Sequence, residues 1–255
     1  MIANLSFQNG IAIITLNRPE AYNALNAELI ETLGQLFDEV DQSDAVALVL
    51  VGAGGKAFCA GADIKGLLGK SAVEQVAFSR LGQQVFAKLD ALAIPSIAVL
   101  SGVAFGGGLE LAMACTFRVA TPAARLGLPE IKLGLIPAYG DTQRLSRLAG
   151  IPRALELVST GRTLDAEESE KIGLVTAIRA ADDPIAIGLD FAASLGVPFP
   201  ASFRMASNAV LQGFDLPLQE ALELEAHLFA EATLTSDATE GVSAFLEKRK
   251  PAFTG

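Results

Sequence analysis

The chain alternates short runs of β-branched and apolar residues with longer stretches in which apolar residues recur every three or four positions. Ile11-Ala-Ile-Ile-Thr-Leu16, Ala45-Val-Ala-Leu-Val-Leu-Val51 and Ile97-Ala-Val-Leu100 read as buried strands, because a strand covered on both faces is continuously apolar rather than alternating. Between the first two, Asn26 is placed to cap a helix whose Leu29, Leu33, Leu36, Phe37 and Val40 fall at helical spacing, so that one face of it is core. A second helical pattern covers about Ala72 to Leu89 and stops before Ile94-Pro95, where proline disfavours helical backbone in the residue preceding it. Thr142 to Leu148 and Ala154 to Thr160 read as short helices and Leu174-Val-Thr-Ala-Ile178 as a strand. From Asp183 the pattern is mainly helical, broken at Val197-Pro-Phe-Pro200. The expected class is α/β, with a layered core over residues 1–196 and a helical region over 197–255.

Two segments rich in small residues interrupt this pattern. Gly52 to Ala62 is a loop directly after a strand, where open α/β sheets receive ligands. Val103-Ala-Phe-Gly-Gly-Gly-Leu-Glu110 follows the apolar run Ser96 to Leu100 and fits a strand turning sharply into a helix. Glycines there let a ligand approach the unpaired N–H groups of a helix start, a place suited to an oxyanion. Glu110 falls in the first turns of that helix, and Leu128-Pro-Glu130 supplies a second carboxyl twenty residues further on. Paired carboxyls beside such a turn suit acid–base chemistry. Spacing alone equally admits a Glu110 that merely meets the helix dipole and a Glu130 on the surface.

Composition narrows the picture by exclusion. A chain of 255 residues, 51 % hydrophobic and 19 % charged, buries a sizeable core. A net charge of −10 argues against a broad grip on nucleic acid or anionic lipid; an anionic ligand would need local lysines. Cys59 and Cys115 have neither paired spacing nor a basic neighbour, which disfavours a disulfide framework, a zinc site and a thiolate nucleophile and suits a reducing cytoplasm. The amino terminus carries no targeting pattern, and no apolar run reaches the roughly 20 residues of a membrane span. The lone histidine, His227, lies in the helical pattern Leu222 to Phe229, far from the glycine-rich turns, and is expected to be structural. It leaves no base for a Ser-His or Cys-His nucleophile and no ligand cluster for a metal. Gly102 to Gly108 lacks the spacing of a dinucleotide-binding turn.

Lys56-Ala-Phe-Cys-Ala-Gly-Ala-Asp-Ile-Lys65, Gly102-Val-Ala-Phe-Gly-Gly-Gly-Leu-Glu-Leu-Ala112 and Pro129-Glu-Ile-Lys-Leu-Gly-Leu-Ile-Pro137 resemble the enoyl-CoA hydratase/isomerase (crotonase) family. The resemblance runs from Leu16-Asn-Arg-Pro-Glu20 through Asp141-Thr-Gln-Arg-Leu145 to Glu240 to Lys250, in the family's order. It implies a crotonase-like spiral of ββα units, a helical carboxy-terminal trimerisation region, and a trimer or a hexamer built as a dimer of trimers that binds acyl-CoA thioesters. It implies backbone N–H groups of Ala62 and Gly107 as the oxyanion hole, and Glu110 and Glu130 as the catalytic pair. Hydratases of the family carry both glutamates, whereas many isomerases keep only the second. The expected reaction is therefore syn addition of water to a trans-2-enoyl-CoA, giving a 3-hydroxyacyl-CoA. Isomerisation, a specialised hydratase for branched or cyclic acyl groups, and a non-catalytic binding protein are the alternatives. By the same resemblance Lys56, Ala60, Asp63, Ile64 and Lys65 contact coenzyme A, with Phe245 and Lys248 arriving from a neighbouring subunit. Coenzyme A is then part of the substrate, and neither a separate cofactor nor a metal is expected.

One segment departs from the family. Where members commonly read Ile-Pro-Gly-x-Gly-Gly-Thr, this chain has Ile136-Pro-Ala-Tyr-Gly-Asp-Thr142. Ala138 is expected to narrow the water or acyl region, and Tyr139 to line the acyl tunnel or simply pack. Asp141 is read as the N-cap of the helix that follows rather than as a third catalytic carboxyl.

Overall fold

Asn9 and Gly10, with φ of 52° and 76°, reverse the chain after its first strand, the backbone that a tight hairpin requires. Ala3–Gln8 (β1) thereby pairs antiparallel with Ile11–Leu16 (β2) in register Ala3 to Leu16. The computed structural model describes residues 1–64, 68–195 and 201–253. After β2 come Ala27–Asp41 (α1), Ala47–Gly52 (β3), Ala57–Cys59 (β4), Ala72–Ala91 (α2), Ser96–Leu100 (β5), Val103–Phe105 (β6) and Gly107–Ala114 (α3). Phe117–Ala120 (β7), Arg125–Gly127 (β8), a 3-10 turn at Pro129–Leu133, Asp141–Ala149 (α4) and Ile151–Thr160 (α5) follow. Thr163–Asp165 (β9), Ala166–Lys171 (α6), Ala177–Ile178 (β10) and Pro184–Ser194 (α7) lead to three last helices, Ala201–Gly213 (α8), Leu218–Thr233 (α9) and Ser236–Glu247 (α10).

The strands form a six-stranded sheet in the order β1-β2-β3-β5-β7-β10 and a four-stranded sheet in the order β4-β6-β8-β9. Each of the pairs β3/β4, β5/β6 and β7/β8 gives one strand to each sheet before the chain turns into a helix, so the ββα unit repeats. The β2-β3-β5-β7 run is parallel, and every residue of β3 and β5 is buried, the reason these strands are continuously apolar. Ile14, Leu48, Leu50 and Ile97 are wholly inaccessible; each contributes about 1.5–3 kcal/mol by leaving water.

Local chemistry sets the helix ends. The Asn26 side chain accepts from the N–H of Leu29, and Ser71 and Glu74 form a reciprocal capping box on α2. All eight residues of α3 are buried. Its carboxy-terminal end rests on a buried cation, Arg118, which donates to the carbonyls of Cys115 (2.8 Å) and Leu174 (2.7 Å).

The structure departs from the sequence reading in several short pieces. β4 lies within the stretch read as the loop Gly52 to Ala62, and β6 precedes the glycine-rich turn. Only Ala177–Ile178 of the strand expected over 174–178 is extended: the N–H groups of Leu174 and Val175 both donate to the carbonyl of Ser169, which holds them in a turn. The chain divides into two compact parts, Met1–Ser194 and Leu195–Gly255. The expected boundary at Val197 to Pro200 lies outside the described residues. No helix among the described residues is long and apolar enough to cross a membrane.

Candidate active site

The site is built on the start of α3. Gly106 takes φ 48° and ψ −127° while its N–H donates to the carbonyl of Gly127, a turn that leads straight into the first helical residue, Gly107. No side chain caps this end among the described residues. The first N–H groups of a helix have no partner within it, and they stand at its positive pole.

Glu110 lies one turn further on, 2 % exposed. Its Oε1 accepts from two main-chain amides, Tyr139 N–H at 2.6 Å and Asp141 N–H at 3.1 Å. Burial raises its pKa to about 7; the amide of Asp141 opposes the rise and the charge of Glu130 adds to it. Glu130 belongs to the 3-10 turn that Pro129 opens. A Cβ placed on Gly106 would stand 2.5 Å from its Oε1. Burial raises the pKa of Glu130 too, and its Oε2 has no partner among the described residues. The charge of Glu130 bears on Glu110, and close like charges resist simultaneous ionisation. Burial disfavours charge on both carboxyls, and the amides of Tyr139 and Asp141 oppose that effect on Glu110.

Asp141 corrects the sequence reading. It is the first residue of α4, not its N-cap: Gly140 holds that position with φ 128°, and no side chain caps the helix among the described residues. The N–H of Asp141 is committed to Glu110, and its side chain turns inward, wholly inaccessible, with neither oxygen partnered among the described residues. Burial and the nearby Glu110 and Glu130 push its pKa well above the usual carboxyl range, with only Arg144 opposing them. A third carboxyl, on which burial disfavours charge, thus lies beside the pair.

The segment carrying Ala62 runs past the start of α3. Leu25 and Ala62 form an isolated parallel bridge in which Leu25 N–H donates to Gly61 and Asp63 N–H to Leu25. In such a bridge the opposed residue, Ala62, directs its own N–H to the other side. A Cβ on Gly61 would lie 3.0 Å from the Phe105 carbonyl oxygen and 3.7 Å from the amide nitrogen of Gly107, so the chains bearing the two amides are neighbours. Asn23, fully buried, supports this region: its Nδ2 donates to the carbonyls of Ala53 and Ala57, and its Oδ1 accepts from Arg18 N–H, each at 3.0 Å.

The structure thus brings Glu110, Glu130, Gly107, Ala62 and Tyr139 into one region. Tyr139 is buried and Ala138 half-buried, the Ala138 carbonyl accepting from Ser79 Oγ and Gln83 Nε2 of α2. Lys56 and Ile64 are exposed. The N–H of Ala60 donates to Tyr22, and Asp63 pairs with Arg18 at 3.6 Å. Lys65 lies outside the described residues. Phe245 and Lys248 belong to the second part, in the last turn and at the C-cap of α10, where Phe245 is exposed and Lys248 adopts φ 56°. Cys59 and Cys115 are buried, unpaired thiols pushed up to about 12 by burial. His227 is exposed on α9, its Nδ1 near the carbonyl of Glu223. No cluster of three or more potential metal ligands occurs among the described residues. Sequence reasoning missed Asn23, Arg118 and the inward turn of Asp141, because a buried polar residue has the same spelling as a surface one.

The chain matches the sequence model of the enoyl-CoA hydratase/isomerase family over residues 6–255. It is 41 % identical over 244 residues to a probable enoyl-CoA hydratase of Mycobacterium tuberculosis, covering 96 % of this chain and 94 % of that protein. It is 36 % identical to the short-chain-enoyl-CoA hydratase of Clostridium acetobutylicum, covering 96 % and 95 %. The crystal structure of enoyl-CoA hydratase from Bacillus anthracis superposes with a TM-score of 0.93 at 33 % identity and full coverage of both chains. With its repeated ββα units and this full-length likeness, the chain belongs to the enoyl-CoA hydratase/isomerase family.

Proposed function

We propose that the protein is an enoyl-CoA hydratase that adds water syn across the 2,3 double bond of a trans-2-enoyl-CoA. The observation that carries this reading is the unequal solvation of two coupled carboxyls. Glu110 receives two amide hydrogen bonds and Glu130 Oε2 receives none among the described residues, which supports the base role for Glu110 and the acid role for Glu130.

In the proposed reaction the thioester oxygen accepts from the N–H groups of Ala62 and Gly107. Glu110 orients a water molecule and takes its proton as the oxygen bonds to C3. The π electrons pass to the carbonyl oxygen, where the two amides and the positive end of α3 stabilise the enolate. Glu130 delivers its proton to C2 on the same face, leaving Glu110 protonated and Glu130 ionised. One oxyanion donor of this kind is worth about 2.7–4 kcal/mol of transition-state stabilisation. Only protons move between protein and substrate, and coenzyme A enters as part of the substrate.

Lys56, Ala60, Asp63, Ile64 and Lys65 are the proposed coenzyme A contacts, with Phe245 and Lys248 covering the nucleotide from a neighbouring subunit. Assembly as a trimer or a pair of trimers is supported by α8 and α9, which bury no residue and leave Leu211, Leu222 and Phe229 exposed. A cytoplasmic location suits two unpaired thiols.

The test is incubation of the purified protein with crotonyl-CoA. Loss of the conjugated enoyl absorbance with formation of 3-hydroxybutyryl-CoA supports hydration. A moved double bond without uptake of water would make the enzyme an isomerase, and no turnover of any thioester would make it a binding protein.

A further inference from the structure

Tyr139 stands where the family commonly has a variable position between small residues, and its ring is enclosed on two sides. On one side lies α2. Phe78 and Phe86 each approach the ring with a centroid separation of 5.6 Å, and between them Gly82 leaves a notch, because a Cβ there would overlap the ring carbons. Residues four apart share a helix face, so Phe78, Gly82 and Phe86 form one stripe shaped around this side chain. Ser79 and Gln83 fasten the adjoining Ala138 carbonyl to the same helix at 2.6 and 2.9 Å.

On the other side lies the chemistry. Ring atoms Cδ2 and Cε2 stand 3.1 Å from where a Cβ on Gly107 would be, and the N–H of Tyr139 donates to Glu110 Oε1. One residue therefore lies beside Gly107, whose amide is proposed to hold the thioester oxygen, and binds the carboxyl proposed to activate water. Its hydroxyl, buried, has no partner among the described residues. The phenol is held by packing, and the ring is the part that counts.

The geometry points to Tyr139, seated in the Gly82 notch, as the wall that ends the acyl site beside Gly107 and Glu110 and restricts the enzyme to short enoyl thioesters. This rests on the hydratase reading for where the acyl group lies. Tyr139 is a specificity-determining residue here and takes no part in proton transfer.

The experiment compares wild type, Tyr139→Phe, Tyr139→Leu and Tyr139→Ala on crotonyl-CoA, hexenoyl-CoA and decenoyl-CoA, with folding checked by circular dichroism and a cooperative melt. Wild type is expected to favour crotonyl-CoA. Tyr139→Phe keeps that preference because the ring is kept. Tyr139→Leu and Tyr139→Ala raise the decenoyl-to-crotonyl ratio of kcat/KM by about 10-fold or more. Tyr139→Leu serves if the alanine variant does not fold. A folded leucine variant whose ratio stays at the wild-type value overturns the proposal, as does a phenylalanine variant that loses the preference or a wild type that hydrates decenoyl-CoA as readily as crotonyl-CoA. Calorimetric binding of butyryl-CoA against decanoyl-CoA reads the same wall without chemistry. If wild type hydrates nothing yet the binding ratio shifts in Tyr139→Leu, the hydratase reading fails and the wall stands; an unshifted ratio removes the wall.

Discussion

The carboxyl of Glu130 fills the space that any side chain on Gly106 would need. A Cβ there would lie 2.5 Å from Oε1, and the residue adopts φ 48°, where an L side chain is strained. Gly106→Ala is therefore expected to displace the proton donor and to lose about 1–3 kcal/mol of stability through its backbone. In crotonyl-CoA kinetics kcat should fall by about 100-fold or more. An alanine variant of wild-type rate would show that Glu130 does not depend on this gap.

Glu110 must be ionised to accept a proton from water, and burial has raised its pKa to about 7. The kcat/KM of the enzyme should rise with pH below about 7, level off, and fall again once the coupled pair loses its second proton. A rate flat between about pH 5 and about pH 8 would contradict a carboxyl base with this pKa.

Asp141 predicts an unusual stability profile. An unfolded aspartate ionises near about pH 3.9, whereas burial and its acidic neighbours keep the folded one protonated well above that. The folded state therefore holds more protons, and this group's contribution turns against folding as pH rises from about 4. Asp141→Asn keeps the shape without the ionisation. It should melt above wild type at pH 8 and close to it near pH 4 in thermal unfolding; equal differences at both pH values would show that Asp141 does not keep its proton.

Asn23 links three chain segments through its buried side chain. Asn23→Ala leaves two carbonyls and an amide unpaired and is expected to lose about 2 kcal/mol or more in chemical denaturation. Because the segment it holds leads to Ala62, kcat should fall while the pH profile keeps its shape. A shifted acid limb would place Asn23 in contact with the carboxyl pair instead.

What was legible in the sequence follows element length. β2, the start of α1 and the stop of α2 are readable because a run of β-branched and apolar residues, the capping Asn26 before a helical stripe, and Ile94-Pro95 after one declare them. β4, β6, β8 and β9 have three residues each, too few for any period, and their existence depends on partners distant in the chain. β1 is signalled only by Asn9-Gly10, the hairpin pair that follows it. At the site, Glu110, Glu130 and the two amide positions were named through family resemblance, since spacing alone left Glu110 and Glu130 open to a structural reading. Asp141 was misread because its sequence neighbourhood is that of an N-cap, and only the fold shows that Glu110 already holds its amide.

The most direct test of the central claim is the hydration rate of Glu110→Gln and Glu130→Gln on crotonyl-CoA, with butyryl-CoA binding measured in parallel. Each variant keeps its hydrogen-bonding shape but loses a titrating group. The account predicts kcat lowered by about 100-fold or more in both, with binding of the saturated thioester essentially retained. Full turnover by either variant would contradict the division of base and acid between these two residues.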